Sequence, residues 1–340
     1  HYYTKGAEFE SMTFKVTSQW TDNFSTELFY NNSTMDDSQI TVGDKDFPDI
    51  QITVEEADGT RNTVYLGADD SRQANSLDTE TDFIKLSGNY LAGNHVITGG
   101  YERETLDIFN VFVQHSNGGE YDFFDSSRNN DPACAALTPQ QRYDGVNGCG
   151  PSGIDRFELG RPSRMYYGSG GGTNNPNDAA AIFANTQNTV YLQDEIFVDH
   201  LGLTLVAGLR YEWWESDDRP TFNQAFTDVT DGLRNDANLD GIDLLMPRVG
   251  FTWEVRDDLT MRGGVGKYSG GNPNVWISNA WSNDGVTNVQ SGAWDEFSSR
   301  EFDGPWSVIP GSEFYTGLVG AERPYYDVPQ PIYDFVANTT

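Results

Sequence analysis

Between Leu203 and Trp213 the chain alternates with a period of two. Leu203, Leu205, Ala207, Leu209, Tyr211 and Trp213 fall on one side, and Thr204, Gly208, Arg210 and Glu212 on the other, with Val206 the exception. Val249, Phe251, Trp253 and Val255 then alternate with Arg248, Gly250, Thr252, Glu254 and Arg256. After Asp257-Asp258, Leu259, Met261, Gly263 and Val265 alternate with Thr260, Arg262, Gly264 and Gly266. Side chains of a strand point to opposite faces in turn, so each run has one apolar and one polar face. Ending in aromatics, this is how a strand of a transmembrane β-barrel reads, apolar side to lipid and polar side to lumen.

The same design recurs in four hairpins, near 12–30, 83–104, 189–213 and 248–268. Their turns, at Thr21-Asp22-Asn23, Ala92-Gly93-Asn94, near Asp199-His200 and at Asp257-Asp258, have the Asp, Asn and Gly that tight hairpins need. The links between hairpins, 31–82, 105–188, 215–247 and 269–340, are long and polar. Such lengths are uncommon inside a compact soluble domain. Short turns at one end and long loops at the other match the periplasmic and extracellular ends of an outer-membrane barrel. Asp49–Val54 and Asn62–Leu66 read as an extra hairpin above the membrane. Asp194 breaks the apolar face of Thr189–Val198, so either it lies near an interface or a bulge shifts the phase.

Composition agrees. Only 37% of the 340 residues are hydrophobic, too few for a thick soluble core but enough for a narrow lipid-facing band. No apolar run is long enough for a transmembrane helix. Trp20, Tyr30, Tyr101, Tyr211, Trp213 and Tyr268 lie near strand ends, which favours interfacial girdles over a β-sandwich core. The net charge of −31 argues against nucleic acid as a partner. Asp36-Asp37, Asp69-Asp70, Asp217-Asp218 and Asp257-Asp258 sit in or beside turns and loops; solubility explains them most simply, and divalent bridging to an anionic lipid surface is the sharper reading.

No catalytic constellation is visible, so the chain does not read as an enzyme. His1, His95, His115 and His200 lack metal-protease spacing. Arg262–Tyr268 fails the phosphate-loop pattern, and its glycines read as strand positions that relieve curvature or face neighbouring side chains. Gly168-Ser169-Gly170-Gly171-Gly172 reads as flexible loop. Asp236, Asn238, Asp240 and Asp243 match the first half of a calcium loop, with Gly241 at the turn, but Pro247 stands where the closing Glu belongs. Calcium and a plain Asp/Asn-rich turn both remain open there. Cys134 and Cys149 lie close together in one polar stretch, and in an oxidising compartment they form a disulfide. Loop aromatics Trp276, Trp281, Trp294 and Trp306 have the faces to stack on sugars or aromatic chelators, or to pack loops together, which is the favoured role.

Tyr191-Leu192-Gln193-Asp194-Glu195, Leu203-Thr204-Leu205 and Gly208-Leu209-Arg210-Tyr211-Glu212 resemble the barrel of TonB-dependent outer-membrane receptors. Leu245–Phe251, Arg262–Gly266, Asn272–Asn279 and Arg72–Asp78 are similar to the Oar-like branch of that family. The resemblance implies a barrel of about 22 strands, an N-terminal plug and energy from the inner-membrane TonB complex. With about eight membrane strands and no plug or energy-coupling box visible, the chain reads as the middle of a longer, all-β, partial barrel of a Gram-negative outer membrane. The expected function is uptake of a scarce solute, an iron chelate, oligosaccharide or peptide. The alternative is an outer-membrane anchor whose acidic loops bind a partner protein or surface layer. Outer-membrane lipid and lipopolysaccharide are the expected surroundings.

Overall fold

The computed structural model describes residues 2–42, 48–56, 58–116, 119–125, 132–170, 175–271 and 274–294, with backbone alone for Met165, Tyr167, Ser169 and 289–294. The strands in chain order are β1 (Tyr3–Thr21), β2 (Phe24–Thr41), β3 (Asp49–Glu55), β4 (Arg61–Leu66), β5 (Ala74–Ala92), β6 (His95–Val113) and β7 (Glu120–Phe123). They continue with β8 (Arg164–Gly170), β9 (Ala181–Val198), β10 (Leu203–Glu215), β11 (Asp243–Arg256), β12 (Leu259–Gly266) and β13 (Asn288–Trp294). Four short helices, α1 (Pro139–Tyr143), α2 (Gly153–Glu158), α3 (Gln224–Val229) and α4 (Asn274–Ser282), lie in the links. Among the described residues no helix is long and apolar enough to cross a membrane.

Eight strands form one antiparallel sheet in the order β1-β2-β5-β6-β9-β10-β11-β12, the open wall of a partial barrel. The strands run further than the alternation reaches: 31–41, 74–82, 105–113, 181–188 and 243–247 are strand as well, and β12, the last strand of this sheet, stops at Gly266. Above the hydrocarbon both faces of a sheet meet polar surroundings, so alternation fades while the backbone ladder continues. The hairpin turns are where the sequence places them, with Gly93 and Gly202 at φ +64° and +60°. Both require the left-handed region that glycine enters without a steric cost.

Register sorts the wall into two faces. Val16, Leu28, Leu86, Tyr101, Val190, Tyr211 and Leu245 form one cross-strand row of the outer face. Neighbouring rows hold Phe14, Leu192, Leu209, Val249 and Val265, and these side chains are exposed: Leu192 is 59% exposed and Val265 78%. A continuous apolar face this large is suited to lipid and not to water. At the turn end Trp20 donates to Thr26 Oγ1 at 2.8 Å and Trp253 to the Leu201 carbonyl at 3.0 Å. At the other end Tyr211 stacks on Trp213 at 5.6 Å. Trp213 Nε1 in turn donates to Glu215 Oε1 at 3.2 Å, so these tryptophans pair an apolar body with a hydrogen-bonded tip, as interfacial positions require. Tyr268 departs from the expected girdle: its hydroxyl lies over Gly266 beside Arg248, on the inner face. Phe251 lies over Gly263, whose Cβ would come within 2.8 Å of the ring, so that glycine does face a neighbouring side chain.

Asp194 keeps its phase. The β9 ladders with β6 and β10 run through it without a bulge, and its Oδ2 lies 2.7 Å from His95 Nδ1 beside the short turn. The carboxylate therefore sits toward the turn-end interface with a polar partner. By contrast Leu192→Arg places a charge within the apolar run of β9. It is expected to cost about 2–4 kcal/mol if the site is near the bilayer midplane, read as a lowered urea midpoint in lipid vesicles.

A second sheet, ordered β13-β8-β7-β3-β4, stands above the first. The β3–β4 hairpin is the predicted one, and β3 also pairs in parallel with β7. Gly168, Ser169 and Gly170 belong to β8 and pair with β13, so this part of the glycine run is strand and not loop; Gly171 and Gly172 lie outside the described residues. On one face Ile50, Ile52, Tyr121 and Phe123 are buried. Phe157 of α2 meets Phe123 edge to face at 5.3 Å. Gly153 opens α2 against the β3 and β7 backbones, where a Cβ would lie 2.1 Å from the Thr53 carbonyl oxygen. Both α1 and α2 carry capping boxes, Thr138 with Gln141 and Ser152 with Asp155. Cys134 and Cys149 are joined by a disulfide that closes this helical segment.

Candidate functional site

The inner face of the wall is polar and charged. Lys15 on β1 and Lys85 on β5 hold Glu27 on β2 between them, at 2.7 and 3.4 Å. Further along, Arg210 on β10 donates to Glu212 Oε1 at 2.6 Å, to Glu102 Oε2 on β6 at 2.8 Å and to Thr189 Oγ1 on β9 at 3.1 Å. Its guanidinium also lies 6.0 Å from the centre of the Tyr191 ring. Arg248 on β11 donates to Gln193 Oε1 at 2.9 Å. The polar members of the alternation thus join in lateral networks across strands. Such a surface can hydrogen-bond a polar solute or water and can anchor a plugging segment.

Above the inner face, α4 packs on the barrel extension. Trp281 stacks on Phe183 at 5.5 Å, and Asn110 donates to Ser278 Oγ at 2.6 Å. Trp281 therefore has the packing role, while Trp276 is 78% exposed. The side chain of Trp294 and all of Trp306 lie outside the described residues.

Among the described residues, Asp236, Asp240 and Asp243 do not form a group of three carboxylates within reach of one ion. Asp236 is ion-paired with Arg234, which donates to Oδ1 at 2.8 Å and also reaches Oδ2. That hydrogen-bonded guanidinium holds the Asp236 carboxyl below the ordinary carboxylate range. Asn238 donates to the Ser216 and Asp218 carbonyls, and its own oxygen accepts from the Asp240 amide at 3.3 Å. Asp243 opens β11 opposite Trp213. The motif folds as an Asx-type turn whose first carboxylate is already neutralised; Arg234, two residues upstream, was the sign of this.

A different cluster forms where the second sheet meets the barrel rim. The acidic face of β3 and β7 carries Asp49, Glu120 and Asp122, all buried. Asp70, from the 3-10 turn Asp70–Arg72, and His115, just past β6, come to the same place. Ligand atoms of Asp70, His115 and Glu120 all lie within 4.8 Å of one another. Gln51 donates to Glu120 Oε1 at 3.0 Å. Tyr166 stacks on the His115 ring at 5.3 Å, and His115 takes φ +55°, an uncommon conformation for a non-glycine residue. Gly119, at φ +91°, passes so close to Tyr166 that a Cβ would lie 2.7 Å from its carbonyl oxygen. Burial, with the Glu120 charge second, pushes the Asp49 and Asp122 carboxyls up to about 8. Sequence reading missed this cluster because its members come from separate segments that only the fold joins.

A wall of long antiparallel strands, apolar outside and charged within, with short turns below and structured links above, defines an outer-membrane β-barrel. The family model for the outer membrane beta barrel domain matches residues 9–330, and the chain belongs to that family. The protein accordingly resides in the outer membrane. No curated protein matches the chain.

Proposed function

We propose that this barrel is the wall of a TonB-dependent uptake receptor of the Oar-like kind, which captures a scarce solute above the membrane and passes it along the charged inner face. The observation that carries this reading is the lateral network of Lys15, Glu27, Lys85, Glu102, Arg210, Glu212, Gln193 and Arg248, a solvating surface that an inert anchor does not need. The motifs shared with TonB-dependent receptors support the energy source, and exposed Trp276 offers a ring for stacking on a sugar or aromatic chelator. Outside, the rows Glu8-Asp36-Asp78 and Glu10-Thr34-Glu80-Asp107 continue the lipid-facing side above the apolar band. At that height carboxylates meet lipopolysaccharide phosphates, which divalent cations can bridge.

The test compares cells carrying the intact gene, a deletion of it, or a deletion of TonB, using labelled iron chelates, oligosaccharides and peptides at limiting concentration. Uptake of one solute class should fall in both deletions and return with the gene. If uptake of every class is unchanged in the gene deletion while surface-layer retention is lost, the anchor reading replaces it. The structured, disulfide-closed segment above the membrane is the feature that favours that second reading.

A further inference from the structure

The geometry points to a divalent transition-metal site made by Asp70, His115 and Glu120, which ties the second sheet to the barrel rim. The three residues come from different places: Asp70 just before β5, His115 just after β6, and Glu120 at the start of β7. Their ligand atoms are mutually within 4.8 Å, the span one ion can bridge. The His115 and Glu120 side chains are only 15% and 8% exposed. His115 Nδ1 lies 2.9 Å from Glu120 Oε2, yet the approach is not aligned as a hydrogen bond. The ring nitrogen and the carboxylate are therefore neighbours without being each other's satisfied partners.

A second observation is independent of that trio. Asp122 is 3% exposed and shares the face of β7 with Glu120. Its Oδ1 is buried and has no hydrogen-bond partner. A buried carboxylate oxygen without a partner is costly, and it stands on the side of the strand where the other oxygens gather. Gln51 donates to Glu120, and the Arg164 charge answers part of the negative charge here. A cation among Asp70, His115 and Glu120 would answer the rest, with Asp122 placed to orient a ligand or to join the shell.

The donor set selects the ion. Calcium takes six to eight oxygens and has no use for an imidazole. One ring nitrogen with carboxylate oxygens suits a first-row divalent ion such as Zn2+ or Mn2+. Because two ligands belong to the barrel and one to the second sheet, binding also fixes how the two pack. This inference does not depend on the uptake reading, since an anchor would use the same clasp.

The experiment uses the complete, tag-free protein in lipid nanodiscs, stripped with chelator and then titrated separately with Zn2+, Mn2+ and Ca2+. One Zn2+ or Mn2+ per chain is expected, with His115→Ala and Glu120→Gln each weakening it at least about tenfold, that is by 1.4 kcal/mol or more. His200→Ala, on the opposite side of the membrane, should change nothing. Should His115→Ala fail to fold, pulsed EPR of Mn2+ bound to the wild-type protein still decides, through coupling to an imidazole nitrogen. The proposal is overturned by absence of a stoichiometric ion, by unchanged affinity in folded His115→Ala, or by Mn2+ lacking nitrogen coupling.

Discussion

Arg210→Met is expected to destabilise the barrel by about 3 kcal/mol, the usual scale for removing one partner of a buried ion pair. The arginine is the sole cation in its triad with Glu102 and Glu212, and Glu212 is nearly buried, at 4% side-chain exposure. The three residues sit on β6 and β10 with Thr189 of β9 between them, so one guanidinium fastens three strands. Methionine fills similar space but leaves the Glu102 and nearly buried Glu212 carboxylates without the cation that pairs them. The loss should appear as a lower urea midpoint for the protein folded in vesicles. Adding Glu212→Gln should recover part of it, because one stranded charge is gone. Equal stability of Arg210→Met and wild type would mean that water already solvates these groups and that the triad is loose.

The second large effect lies above the membrane. Asp155 of α2 accepts from Arg142 Nε at 2.6 Å, from Arg142 Nη2 at 2.5 Å and from the Ser152 amide at 2.8 Å. Arg142 in turn donates to the carbonyls of Cys134 and Leu137, so the pair joins both helices to the disulfide. Asp155→Asn keeps the shape and removes the charge, and should cost the segment 132–160 about 3 kcal/mol of local stability. Proteolysis within that segment is the readout. The disulfide, with a separation of 15 residues, contributes a comparable constraint, so reduction together with Asp155→Asn should release it fully.

Acid provides a further check on the same pair. Burial opposes ionisation of Asp155, but the Arg142 and Ser152 hydrogen bonds outweigh it and hold the carboxyl below its ordinary 3.8. A depressed folded value means that the stabilisation is present above 3.8 and is lost as pH falls through the lower folded value. The wild-type segment should therefore loosen only in that acid range, while Asp155→Asn should show no such transition there. A wild-type protease profile flat across the range would contradict the pair's role.

What the sequence revealed follows from which solvent constrains it. Lipid tolerates no polar side chain without a cost, so Leu203–Trp213 and Arg248–Val265 advertise their two faces clearly. Phe29 and Phe83 meet on the inner face, edge to face at 5.9 Å, without blurring that pattern. Above the bilayer the constraint relaxes, and 105–113 and 181–188 carry no readable period although they are strand. The β3–β4 hairpin was legible from Ile50, Ile52 and Val54. Its parallel neighbour β7 was not, since Glu120-Tyr121-Asp122-Phe123 is short and pairs with a distant segment. Glycines at 168 and 170 look like loop because their packing role depends on a partner strand that lies far along the chain. The Asp236 turn shows the opposite hazard: a ligand-like spacing read without Arg234, which occupies its first carboxylate.

The alternation separates lipid from lumen across the whole wall. Spin labels at Leu192→Cys, Gln193→Cys, Val249→Cys and Gly250→Cys, one at a time in the full protein in bilayers, test it most directly. Leu192 and Val249 stand on the outer rows, and Gln193 and Gly250 on the inner ones. Labels at 192 and 249 should collide with dissolved oxygen and be shielded from a water-soluble nickel chelate, with the reverse at 193 and 250. Nickel access that is equal at neighbouring positions, or higher at 192 and 249, would contradict the assignment of the two faces.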